Sequence, residues 1–181
     1  EVTTAVSAGS SHTCALVASG GVKCWGSNQF GQLGYDSTDN KGDEPGEMAS
    51  LGTVELREAA TAISAGTMHT CALLTSGGVE CWGMNWAGQL GYDNTDSKGG
   101  APGDMANLGT VDLGEEATAV SAGDVHSCAL LVSGGVKCWG SNQFGQLGYD
   151  STDDKGDEPG EMASLGAVEL GEAATSVSAG F

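Results

Sequence analysis

Residues 12–34 read HTCALVASGGVKCWGSNQFGQLG, and this stretch decides the fold because it occurs three times. The second and third copies occupy residues 69–91 and 126–148, so each copy begins 57 positions after the one before it. Self-similarity at a fixed period of this size marks one supersecondary unit that stacks on copies of itself. The sequence therefore predicts an array of tandem repeats.

The period divides the 181 residues into three full repeats and an overhang. The final ten residues, EAATSVSAGF, resemble the first ten, EVTTAVSAGS, so the overhang matches the beginning of a repeat. The predicted boundaries are residues 1–57, 58–114 and 115–171, with the start of a fourth repeat at 172–181.

Each repeat contains short runs of β-branched and small residues separated by turn residues. In the first repeat these runs cover residues 3–8, 12–17 and 22–25, and residues 54–56 form a candidate fourth strand. Residues 35–48 are polar and are expected to form a surface loop. The alternative for residues 45–51 is about two turns of helix, since a proline stands at their start. About four short strands per repeat, with no longer helical period, predict an all-β fold.

Six cysteines form three pairs, each with a spacing of ten residues. A three-residue hairpin loop at residues 18–20 would place Cys14 opposite Cys24, whereas a two-residue loop would place Cys14 opposite Trp25. We expect one disulfide per hairpin and hence an oxidising compartment. Buried reduced thiols and zinc sites are the alternatives. The expected pairs are Cys14 with Cys24, Cys71 with Cys81, and Cys128 with Cys138.

The repeated pattern also carries a family likeness. The residues G-x-x-H-T-C-A-L, followed by G-x-V-x-C-W-G-x-N-x-x-G-Q-L-G, resemble the repeat of the regulator-of-chromosome-condensation family, here with a long acidic insert. The resemblance implies blades of a β-propeller, commonly about seven to a ring. It also implies that the motif residues are structural and that function resides on loops of the two propeller faces. Family members include nucleotide exchange factors, a β-lactamase inhibitor and extracellular repeat proteins.

Three blades do not close into a ring, since propellers have about 4–8 blades. Open blades expose apolar faces and strand edges, which favour association. We therefore expect a homo-oligomer, as a six-bladed dimer or a nine-bladed trimer, or else a head-to-tail filament or part of a longer propeller. In a closed ring, residues 3–8 and 175–179 would compete for one position in a blade.

The balance of charge excludes one class of partner. Six basic residues against 24 acidic residues give a net charge of −18, which repels the phosphate backbone of nucleic acids. We expect no nucleic acid partner. No apolar run approaches the ~20 residues of a membrane-spanning helix, so we also expect no membrane span.

An acidic segment follows each glycine-rich loop and is the candidate metal site. Several carboxylates with a glycine among them suit Ca²⁺, which would be the cofactor if there is one. The middle repeat departs from this pattern, because Gly100 and Ala101 replace two of the acids. The candidate ligands are Asp36, Asp39, Asp43, Glu44, Asp93, Asp96, Asp150, Asp153, Asp157 and Glu158.

Aromatic residues flank the same loops. They are candidates for a platform that binds a sugar or a peptide, and the alternative is that they cover the blade core. The histidine two positions before the first cysteine of each repeat is expected to be a hydrogen-bonded framework residue. The candidate platform residues are Tyr35, Trp86, Tyr92 and Tyr149.

The candidate residues recur in every repeat, and no separate catalytic set stands outside them, so we expect no enzymatic activity. The leading hypothesis is a non-enzymatic interaction or structural scaffold, extracellular or at the cell surface, that binds itself and a protein or glycan. The alternatives are a calcium-dependent lectin-like module and a protein-binding propeller similar to a guanine-nucleotide exchange factor.

Overall fold

The computed structural model describes residues 1–180 and contains three antiparallel sheets of three strands each. Each sheet is formed by strands adjacent in sequence, so each repeat folds as one blade, and the all-β partial propeller is confirmed. We call these sheets blades 1, 2 and 3. The strands are β1 (Thr3–Ala8), β2 (His12–Val17), β3 (Val22–Gly26), β4 (Ala60–Ala65), β5 (His69–Leu74), β6 (Val79–Gly83), β7 (Ala117–Ala122), β8 (His126–Leu131) and β9 (Val136–Gly140).

The hairpin of each blade has the three-residue loop that the cysteine spacing predicts. Leu16 pairs with Val22 and Cys14 pairs with Cys24, so the loop consists of residues 18–20. Gly20 closes the loop at φ 84°, a left-handed conformation that favours glycine. All three expected disulfides are present, one across each hairpin.

The predicted fourth strand is wrong. Residues 54–56 lie outside any strand, although the Val54 amide donates a hydrogen bond of 2.8 Å to the Val22 carbonyl at the edge of blade 1. The connection between blades therefore covers the edge of the sheet without extending it. A single bridge between Gly26 and Lys41 ties down the acidic segment.

The helical alternative for residues 45–51 is present in the outer repeats, but as a single turn, α1 (Glu47–Ser50) in the first and α2 (Glu161–Ser164) in the third. The middle repeat forms turns at the corresponding place. None of the helices in residues 1–180 is long and apolar enough to cross a membrane.

The hydrophobic core lies between blades as well as within them. Trp82 of blade 2 is fully buried in a cluster with Leu16, Leu33 and Val54 of blade 1. Trp139 of blade 3 is buried in the same way against blade 2. Blades 1 and 2 thus each complete their core with a tryptophan from the blade that follows.

Candidate functional site

The surfaces between blades contain a recurring set of polar contacts. The carbonyl oxygen of Gln32 in blade 1 accepts two hydrogen bonds from blade 2, one from Thr70 Oγ1 at 2.9 Å and one from Trp82 Nε1 at 3.0 Å. In the next interface, the Gln89 carbonyl accepts the equivalent bonds from Ser127 and Trp139. The two interfaces are therefore copies of one bonding pattern.

A buried histidine completes each interface. His12 Nε2 lies 2.8 Å from Thr70 Oγ1, and His69 Nε2 lies 2.9 Å from Ser127 Oγ. Because the Thr70 hydroxyl gives its proton to Gln32, the histidine must donate, and its proton resides on Nε2. Burial lowers the pKa of His12 to about 4 and that of His69 to about 3. The rings are therefore neutral framework groups at neutral pH, as the sequence predicts.

An aspartate in the left-handed conformation joins neighbouring blades on the outside of this core. Asp36, at φ 53°, accepts hydrogen bonds from the amides of Gly103 and Met105 in the next repeat, at 2.8 and 2.9 Å. Asp93 makes the same pair of bonds to blade 3. These carboxylates, which the sequence predicts as metal ligands, connect neighbouring blades by accepting hydrogen bonds from backbone amides.

Replacing Asp93 with Asn tests this connection. The variant keeps the shape and the tolerance for positive φ, but its NH₂ group cannot accept a hydrogen bond from an amide. We expect D93N to lower the free energy of unfolding by about 1.5–3 kcal/mol, the range for a hydrogen bond to a charged group. The matched control is D150N, which changes the equivalent exposed residue of blade 3 and should shift the stability of the monomeric chain by less than about 0.5 kcal/mol. Urea denaturation of both variants measures the difference, and equal losses would contradict the assignment.

Blade 3 presents the same acceptor groups, and within residues 1–180 no further blade covers them. We call this the acceptor face and define it by His126, the Gln146 carbonyl, Gly148 and Asp150. Gln32 and Gln89 are buried at 1% and 0% exposure, whereas Gln146 is exposed. Gly148 has the positive φ of the glycines that contact Trp82 and Trp139, but in residues 1–180 no tryptophan contacts it. An open cavity of about 510 Å³ lies here, lined in part by Leu147, Val168 and Val177.

Blade 1 presents the complementary donor groups. We call this the donor face and define it by Thr13, Trp25 and the amides of Gly46 and Met48. They correspond by the 57-residue period to the groups of blades 2 and 3 that bind Gln32, Gln89, Asp36 and Asp93. Trp25 is partly exposed, and Met48 is 47% exposed although its counterpart Met105 is buried. Within residues 1–180, blade 1 thus carries the donor groups of the internal interfaces on a face that no other blade covers.

The remaining acids of the predicted metal site do not converge. Within residues 1–180 there is no group of three or more His, Cys, Asp or Glu side chains placed to hold a metal ion. The acidic segment folds instead around Glu47, which accepts hydrogen bonds from the amides of Gly42 and Glu44 and from Lys41 Nζ. Sequence reasoning missed this role, although the acids at one position of every repeat, Glu47, Asp104 and Glu161, were its signal. The exposed members of the predicted set are Asp39, Asp43, Glu44, Asp96, Asp150, Asp153 and Glu158.

The predicted aromatic platform is divided between core and surface. The hydroxyl oxygen of Tyr35 accepts the Cys24 amide at 3.0 Å, and Tyr92 and Tyr149 make the equivalent bonds in their own blades. Burial raises the pKa of all three tyrosines. Trp86 is separate from them, 66% exposed and edge-on to Phe30 with ring centroids 5.1 Å apart. The structure therefore does not bring the four residues together on one surface.

Blade 2 contains a buried acid that sequence reasoning also missed. Glu80 is 1% exposed, and neither carboxylate oxygen makes a hydrogen bond within residues 1–180. Arg57 Nε approaches Oε1 at 3.4 Å. Desolvation raises the pKa of Glu80 to about 7 despite this cation. The signal in the sequence was one departure in each of two neighbouring repeats. Glu80 of the second repeat stands where the other repeats have Lys23 and Lys137, and Arg57 at the end of the first repeat stands where the others have Gly114 and Gly171.

The pKa of Glu80 predicts how stability changes with pH at this position. The folded pKa of about 7 is above the ordinary value of 4.5, so the folded state binds the proton more tightly than the unfolded state. This contribution is fully present below pH 4.5 and is lost as the pH rises through 7. At pH 8 we expect the free energy of unfolding of E80Q to exceed that of the original chain by up to about 3 kcal/mol. At pH 4 the two free energies of unfolding should be nearly the same. Thermal or urea unfolding at both pH values measures the gain, and a gain independent of pH would contradict it.

The chain is similar to proteins built from the same repeat. Two descriptions of the Regulator of chromosome condensation (RCC1) repeat match it, one at residues 19–73, 76–130 and 133–180, the other at residues 4–32, 60–89 and 117–146. The chain is 37% identical over 150 residues to the probable E3 ubiquitin-protein ligase HERC3 of Homo sapiens, covering 83% of this chain and 13% of that protein. It therefore spans only a small part of that relative.

Solved structures show the same fold at lower identity. The human WBSCR16 structure matches 98% of this chain and 42% of its own, with a TM-score of 0.75 and 19% identity. Prp20p of Saccharomyces cerevisiae matches with a TM-score of 0.69 and 20% identity over 98% of this chain and 42% of that one. Repeat matches over most of the chain, together with three blades joined by one recurring interface, show that this chain belongs to the regulator of chromosome condensation (RCC1) repeat family.

Proposed function

We propose that this chain is a non-enzymatic scaffold for protein interactions, and that one of its partners is a second copy of itself, bound head to tail. One observation carries the self-association: the acceptor face of blade 3 and the donor face of blade 1 are the two halves of an interface that the chain already forms twice. A second copy supplies groups of the kind that each open face lacks.

The sequence of the open faces supports this choice of partner. Residues 134–153, which carry most of the acceptor face, are identical to residues 20–39, which bind blade 2 inside the chain. The donor positions Thr13 and Trp25 are identical to Thr70 and Trp82, which blade 2 uses. The acceptor face of blade 3 therefore has the same residues as the face of blade 1 that binds blade 2 within the chain.

A protein-binding role is also supported by the relatives. The yeast Prp20p structure is described with that protein's binding to Gsp1p and histones. HERC3 is named as a ligase, but the similarity covers only 13% of it. In the present chain, the recurring polar groups of the interfaces are used to hold blades together, which supports a scaffold over an enzyme. The guanine-nucleotide exchange factor-like propeller remains the alternative within this class.

We propose an extracellular or cell-surface location on the strength of the three disulfides. All six cysteines are paired, and such bonds persist in oxidising compartments. Thiol trapping on protein freshly isolated from its native source tests this location. We expect no free thiol before reduction and six after reduction, whereas six free thiols at the outset would contradict the location.

The self-association is tested by light scattering across a dilution series of the full chain. We expect a mass above 18.0 kDa. If the head-to-tail contact closes a ring, the mass should approach a discrete multiple of this value, and if it does not close, the mass should keep rising with concentration. A mass of 18.0 kDa at every concentration would contradict self-association. Repeating the series with Ca²⁺ tests the lectin-like alternative, which requires a calcium-dependent heat or thermal stabilisation in parallel calorimetry.

A further inference from the structure

Residues 172–180 occupy the place of the first strand of a fourth blade. The Ala179 amide donates a hydrogen bond of 2.9 Å to Ser121 Oγ, as the Ala65 amide does to Ser7 Oγ one interface earlier. The Gly180 carbonyl accepts the Asp124 amide, and the Ala174 amide donates to the Gly134 carbonyl. The segment is therefore docked on blade 3 in the register of the repeat, but within residues 1–180 no strand pairs with it.

This placement creates a conflict when a second copy binds the acceptor face. The incoming blade 1 brings its own first strand, β1, which the 57-residue period assigns to the same place as residues 172–180. Only one of the two segments can pair with β2 of the incoming copy and contact blade 3. The other must leave, and the sequence of the two segments decides which.

The segments differ at one fully buried position, the third residue of each, and at the half-buried fifth position, where Ser176 replaces alanine. Blades 2 and 3 have alanine at the third position, Ala60 and Ala117, and both are 5% exposed. The amide of Ala60 donates to the Gly20 carbonyl of the preceding hairpin loop, as the amide of Ala174 does to Gly134. Residues 172–180 therefore keep the alanine of the internal interfaces, whereas β1 has Thr3 at this position.

Threonine is unfavourable at such a site for two reasons. Its extra methyl group overfills a place that is closed around alanine, and its hydroxyl is carried into a buried environment. Thr3 is exposed in the structure, because no preceding blade covers it. The cost therefore arises only when blade 1 docks with β1 in place.

We propose that the copies join by strand exchange, in which residues 172–180 of one copy replace β1 as the first strand of blade 1 in the next copy. By the register of the repeat, Ser178 lies opposite Cys14 of the incoming copy, as Ser7 lies opposite Cys14 within one chain. This inference rests on the proposed self-association and adds which strand completes the shared blade.

Two truncations and one substitution test the exchange through the dissociation constant of self-association, measured by sedimentation equilibrium. Deleting residues 172–181 forces β1 into the shared blade and should weaken association at least tenfold. Adding Thr3→Ala to this truncation should restore most of the affinity, because alanine fits the buried position. Deleting residues 1–10 should leave the affinity unchanged or tighten it. Unchanged or tighter association after deletion of 172–181, with no effect of T3A, would overturn the exchange.

Hydrogen exchange on the unmodified assembly gives a second test that does not depend on how a truncated chain folds. We expect slow exchange for the amides of residues 175–179 and fast exchange for those of residues 3–8 in the assembled protein. The opposite pattern would overturn the exchange and leave the self-association intact. A chain that stays monomeric would overturn both.

Discussion

Replacing Trp82 with alanine is expected to lower the free energy of unfolding by about 3–5 kcal/mol, the range for truncating a large buried aromatic side chain. Trp82 is fully buried between blades 1 and 2, and its Nε1 donates to the Gln32 carbonyl. The substitution leaves a cavity in the core of blade 1 and removes one of two donors from that carbonyl. Chemical denaturation followed by circular dichroism measures the loss.

The chain offers a matched control in Trp25, the same residue of the repeat one blade earlier. Trp25 belongs to the open donor face and is only partly buried, so W25A should cost about 1 kcal/mol or less in an isolated chain. Its main effect should be on self-association. If W82A and W25A destabilise the isolated chain equally, the internal interfaces do not have the role that we assign to them.

Reduction of the three disulfides is the second large effect that we expect. Each bond closes a loop of about ten residues and should contribute about 2–3 kcal/mol, mainly by restricting the unfolded chain. Because the three hairpins are separate, their contributions should nearly add, and full reduction should bring the chain close to or past its unfolding midpoint at 25 °C.

The disulfide prediction is measured by comparing thermal unfolding with and without a phosphine reductant. Serine substitution of one pair, Cys71 and Cys81, isolates the contribution of the middle hairpin. Without reductant, we expect the free energy of unfolding of the double variant to be about 2–3 kcal/mol below that of the original chain. Adding reductant should then lower the free energy of unfolding of the variant by less than it lowers that of the original chain. An original chain whose unfolding temperature is insensitive to reduction would contradict this account of its stability.

The repeat architecture was predictable because its signals are local. The pairing of Cys14 with Cys24 follows from the loop length and the left-handed Gly20, both of which lie within one hairpin. The fourth strand was wrong because residues 54–56 have β-prone composition but make only one backbone hydrogen bond to the sheet at Val54. Strand propensity alone does not determine whether a partner edge is available.

The interfaces between blades were less predictable because their contacts join residues 38 to 69 positions apart. Asp36 looks like a loop carboxylate in the sequence, and only the stacking of repeats brings it to the amides of Gly103 and Met105. The calcium prediction for the acidic segment rests on composition, which does not distinguish a metal ligand from an acceptor of backbone amides. The positions that match the internal donor and acceptor groups, however, follow directly from periodicity once one internal interface is known.

The most direct test of head-to-tail association mixes two variants, each of which has one damaged face. W25A lacks the donor tryptophan but keeps the acceptor face, and D150K places a positive charge where two amides should bind but keeps the donor face. We predict that each variant alone stays at 18.0 kDa by light scattering and that an equimolar mixture reaches twice that mass and no more. A mixture that stays monomeric under conditions in which the original chain assembles would contradict the account.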